Sequence, residues 1–182
     1  MEQNLKDDGL GELLGRRMSM ATVREVVDRV SGDGTAIAQL CRMAMDGAGQ
    51  RGAMYAAWVL THLSGQDKQA YVAPFRDELT DALVAGRLAF RPGLLLALLY
   101  DLPEPDEPRT DLLDYCMEGL ADPRYRDGCR SAMIRLAARM CRAYPELVAE
   151  LHLRLQNLPP GQPPSICTAR KNAMKPERRK RG

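Results

Sequence analysis

Apolar residues along this chain recur three and four positions apart, the spacing that lines up one side of an α-helix. The densest case runs from Arg51 to Leu63. Ala53, Ala56, Ala57, Leu60 and Leu63 make one continuous stripe there, and Tyr55, Trp58 and His62 fall on a second. A helix apolar on two sides must be covered on two sides, so this stretch reads as an inner helix of a layered array.

The same spacing predicts helices before and after it. A short one is expected over 9–16 around Leu10, Leu13 and Leu14, and Ser19 caps another over 20–31 with Val23, Val26, Val27 and Val30 inward. Ser31 to Gly34 reads as a turn, and a third helix over 35–46 carries Ile37, Leu40, Cys41 and Ala44 on one side. Beyond the inner helix come a short helical piece at Tyr71 and Val72, broken near Pro74, and a helix over 75–85 with Phe75, Leu79, Ala82 and Leu83 inward. Pro92 suits the first turn of a very apolar helix that ends at Leu102. The run Pro103-Glu-Pro-Asp-Glu-Pro108 reads as a stiff acidic connector rather than a domain boundary, because apolar helices resume directly after it.

Downstream, Leu112, Leu113, Cys116, Met117 and Leu120 predict a helix over 111–121 that Asp122-Pro123 ends. Met133, Leu136, Ala137, Met140, Cys141 and Tyr144 predict the next, over 127–144. Pro145 opens another, with Leu147 or Val148, Leu151, Leu155 and Leu158 inward. Prolines at 159, 160, 163 and 164 break the chain, Ser165 caps, and a last helix reaches Met174. No run of alternating Val, Ile, Thr or Tyr suggests a strand, while Ala, Leu, Met and Arg, all helix formers, are plentiful. The expected class is all-α, in one domain over 1–175, with a disordered basic tail over 176–182.

A longer period is visible too. Arg51-Gly-Ala-Met, Arg91-Pro-Gly-Leu, Arg130-Ser-Ala-Met and Arg170-Lys-Asn-Ala-Met place arginines 40, 39 and 40 residues apart. Two helices per forty residues is the period of HEAT and armadillo arrays, in which each hairpin buries its apolar side on the next. The arginines are expected near helix starts, spanning the crevice between layers to reach carbonyls or an acid of the adjoining loop.

Ala56-Ala-Trp-Val-Leu-Thr-His-Leu63, Ala143-Tyr-Pro-Glu-Leu147 and the stretch from Ser165 through Ala169-Arg-Lys171 carry a resemblance to short bacterial HEAT-like proteins, over nearly the whole chain. The resemblance implies an α-α superhelix of helical pairs, a bacterial cytoplasmic setting and no established activity. Some members of that group carry the name adenylosuccinate lyase. The Ser-Ser-x-Met-Pro-x-Lys-x-Asn loop of that superfamily is absent here.

Charge and candidate chemistry refine this picture. The formal charge is +2. Residues 170–182 hold seven basic side chains and one acid, Glu177, about +6, which leaves the rest about −4. Only the tail, with Lys175, Arg178, Arg179, Lys180 and Arg181, has the character of a nucleic-acid-binding segment. The five cysteines (41, 116, 129, 141 and 167) form no CxxC pair. They read as small hydrophobes in a reducing cytoplasm, with Cys167 beside Arg170 and Lys171 the most reactive of them. Cys129 and Cys141 sit three turns apart on one helix and cannot bond to each other.

His62 is expected partly buried with a satisfied ring nitrogen, and His152 at the surface. HxxxH, HExxH, GxSxG and Walker patterns are missing, so neither a metal, a cofactor nor a catalytic residue is expected. The start, Met1-Glu-Gln-Asn-Leu-Lys-Asp-Asp8, lacks the form of a signal peptide, and no window reads as a membrane span. Arg135, Arg139 and Arg142, at i, i+4 and i+7, lie opposite the buried stripe of their helix. They are the candidate partner surface. The expected function is a noncatalytic protein-interaction or scaffold module. The alternative is a nucleic-acid-binding protein akin to HEAT-like DNA-alkylation glycosylases, in which aromatic rings and an acid face each other over a basic groove.

Overall fold

The architecture is that of a computed structural model, which describes residues 14, 18–46, 50–86, 92–105 and 107–175. Nine helices of nine or more residues occur among the described residues, with no strand. The chain divides into two compact units, Met1–Asp106 and Glu107–Gly182, with the junction inside the proline loop. Of the helix expected over 9–16, only Leu14 is described; it is helical and fully buried. The tail at 176–182 lies outside the described residues.

In the first unit α1 is Met20–Val30, α2 Gly34–Met45, α3 Gln50–His62, α4 Arg76–Val84 and α5 Pro92–Asp101. Ser19 caps α1 by accepting from the Thr22 amide at 3.2 Å, and Asp33 caps α2 by accepting from the Thr35 and Ala36 amides. Such caps each contribute about 1 kcal/mol. Gly32, at φ 74°, supplies the left-handed residue that lets α1 turn into α2. At Gly34 a Cβ would lie 2.8 Å from the Tyr71 ring, so only glycine permits that approach.

The inner position expected of the 51–63 stretch is observed. α3 packs against α1, α2 and α5, and Ala53, Ala56, Ala57, Val59, Leu60 and Leu63 are all buried. Three of those six are alanines, small enough to let neighbouring helices approach closely, and full burial of Leu60 stabilises by about 1.5–3 kcal/mol. The second stripe fades toward the helix end: Tyr55 is buried, Trp58 half-buried and His62 exposed.

The α3–α4 connection departs from expectation. One α-helical turn (Gly65–Asp67), a π-helical turn (Lys68–Val72) and a 3₁₀ turn (Ala73–Phe75) follow one another without a break. Pro74 has no amide hydrogen to donate, and the chain responds by re-spacing its hydrogen bonds around it rather than by leaving the helix.

In the second unit α6 is Thr110–Gly119, α7 Asp127–Cys141, α8 Pro145–Gln156 and α9 Pro164–Ala173. α7 plays the part that α3 plays in the first unit, touching α6, α8 and α9. Its first half is buried on every side, from Cys129 through Ile134, where the sequence shows only one apolar stripe. Arg130 and Ser131 interrupt the apolar pattern there and yet are inside. Pro163, not Ser165, stands at the N-cap of α9, with Pro164 opening the helix.

The arginine register is corrected by the structure. Arg51 is the second residue of α3, Arg130 the fourth of α7 and Arg170 the seventh of the ten in α9, in its last turn; Arg91 lies outside the described residues. Equal spacing in sequence therefore does not mark equivalent points, because the helices and loops between them differ in length.

Candidate interaction surfaces

Arg130 is only 6% exposed. Its Nε donates to the Leu120 carbonyl at 3.0 Å and its Nη2 to Gln162 Oε1 at 3.0 Å, while Gln162 Nε2 donates to the Pro159 carbonyl. One guanidinium thus ties the loop after α6 to the loop before α9. This is the crevice-spanning role expected of the repeat arginines, observed at this one. It is a structural clamp, because the planar fork lies inside the protein.

One and a half turns further along α7 the surroundings change. Arg135 is exposed, Arg139 half-exposed and Arg142, just past the helix end, exposed. All three are engaged by neighbouring groups. They lie on the side of α7 opposite the buried Met133, Ala137 and Cys141, on a backbone held by three neighbouring helices.

At the end of α9, Arg170 is half-exposed and Lys171 and Lys175 are exposed, with Lys175 Nζ 2.8 Å from Asn172 Oδ1. Arg178, Arg179, Lys180 and Arg181 lie outside the described residues.

The first unit holds a charged cluster that the hydrophobic pattern does not announce. Asp67 and Lys68, adjacent and each 7% exposed, reach in different directions. Asp67 accepts from the Gly32 amide and from the Ser64 hydroxyl, and its own amide donates to Ser64 Oγ. Lys68 Nζ donates to the Thr61 carbonyl at 2.8 Å and pairs with Asp101 Oδ2 at 2.6 Å. Ser64 with an acid three residues on is close to a capping-box signature, and that signal was legible. The pairing of Lys68 with Asp101 was not, because it depends on where α5 ends in space.

The histidines reverse their expected exposures. His62 is exposed and its Nδ1 lies 2.9 Å from the Trp58 carbonyl and 3.0 Å from the Thr61 hydroxyl. His152 is half-buried, with Nε2 3.2 Å from the Ala173 carbonyl, one of the orphan acceptors at the end of α9. Each histidine completes a helix end.

The cysteines divide as expected. Cys41, Cys116, Cys129 and Cys141 are buried free thiols, and Cys167 is exposed, its Sγ 3.2 Å from the Gln162 carbonyl. Burial pushes the Cys41 thiol up to about 12 and those of Cys129 and Cys141 up to about 11, and raises Cys116 as well. Burial likewise raises Tyr115, whose hydroxyl also meets that of Tyr125. At the surface, the Arg109 guanidinium holds Asp111 below the usual carboxylate range, and Arg124 does the same for Asp122. Among the described residues no three metal-capable side chains converge, and no helix is long and apolar enough to cross a membrane.

A family model for the HEAT repeat domain matches residues 10–176. No curated protein and no solved structure matches the chain significantly. The match spans both units and the proline loop between them. The chain belongs to the HEAT repeat domain family.

Proposed function

We propose that this HEAT repeat chain is a noncatalytic interaction module of the bacterial cytoplasm, a scaffold that holds a protein partner against the arginine-bearing side of α7. The observation that carries the reading is the change of character along that one helix. Its first half is spent on the interior, while its second half turns Arg135 and Arg139 outward, with Arg142 just past its end, on a backbone held by three neighbouring helices. Arginine is enriched at protein interfaces, and a pre-positioned one loses less freedom on binding. The continuous match over 10–176 supports treating residues 1–175 as one functional module, with 176–182 as a basic tail.

Glycosylase-like action on nucleic acid asks for an acid facing aromatic rings over a basic groove. Asp101, the acid nearest in sequence to an exposed ring, Tyr100, has one oxygen engaged by Lys68, which favours the scaffold reading.

The test is in-cell photo-crosslinking from position 139, compared with the same probe at Gln156 on α8. A protein adduct specific to position 139, lost when Arg135→Glu and Arg142→Glu are added, is the expected result. Identical adducts from both positions, or adducts unaffected by the charge reversals, contradict it.

A further inference from the structure

We draw no further inference here: the strongest candidate, the apolar outer side of α5 with Leu94, Ala97 and the exposed Tyr100, carries none, because nothing among the described residues shows what covers it.

Discussion

The Lys68 ammonium, 8% exposed, stands 2.6 Å from the carboxylate of Asp101, which is 44% exposed. The two ends of this ion pair live in different media, and that decides what each is worth. Water already solvates Asp101, so losing Lys68 costs it little. Among the described residues, Lys68 has Asp101 and the Thr61 carbonyl to replace the water it gave up.

Removing the two partners should therefore have unequal effects. Asp101→Ala leaves a buried ammonium with one partner and is expected to destabilise by about 3 kcal/mol. Lys68→Met removes the buried charge, fills similar volume and is expected to cost about 1 kcal/mol or less. The double variant should recover most of the loss. Urea unfolding of the three variants reads this, and equal losses from both single variants would show that the pair is not asymmetric.

Among the described repeat arginines, Arg130 takes a layer-spanning role through Leu120 and Gln162. Arg130→Ala removes two hydrogen bonds and the packing of the stem, and is expected to destabilise by about 3 kcal/mol. Arg130→Lys keeps the charge but cannot reach Leu120 and Gln162 together, at an expected cost of about 1–2 kcal/mol. Chemical denaturation orders the two. A lysine variant as stable as the parent would mean that charge alone, not the fork, holds the loops.

Thr80 is fully buried on α4, and its hydroxyl has no hydrogen-bond partner among the described residues. Most core substitutions destabilise, but this one should not. Thr80→Val exchanges an unsatisfied hydroxyl for a methyl of the same shape and is expected to be neutral or to stabilise by about 1 kcal/mol. A loss of more than about 1 kcal/mol in thermal or urea unfolding would reveal a partner for that hydroxyl.

Thiol chemistry separates the cysteines. Burial keeps the Cys41, Cys129 and Cys141 thiols protonated well above pH 8, with values near 12, 11 and 11, and a protonated thiol is a poor nucleophile. A disulfide-exchange reagent at pH 8 is expected to label Cys167 rapidly in the native protein and all five cysteines after unfolding. Cys167→Ser should abolish the fast phase. Fast labelling that persists in that variant would contradict the burial of the other four.

The sequence was most informative where burial follows an unbroken pattern. The stripes Ile37-Leu40-Cys41-Ala44, Ala53-Ala56-Ala57-Leu60-Leu63 and Leu112-Leu113-Cys116-Met117 are all inside. They are apolar at helical spacing, and nothing polar interrupts them. It was least informative where polar groups go inside because a distant segment meets them. Arg130 is buried through Leu120 and Gln162, and Lys68 through Thr61 and Asp101, partners 7 to 33 residues away. Residue spacing alone cannot supply those encounters. The same limit explains the arginine register, since a forty-residue interval fixes distance along the chain but not position within a helix. The outward placement of Arg135 and Arg142 was legible from their phase on α7; whether a partner uses them is a property of the partner.

Two helices, α3 and α7, are each enclosed by the neighbours they organise, and amide hydrogen exchange in the native protein tests this most directly. The slowest amides are expected between Val59 and Leu63 in the first unit and between Met133 and Ala137 in the second, with those of α1 and α9 exchanging sooner. Exchange of the α3 and α7 amides as fast as those of α1 and α9 would contradict it.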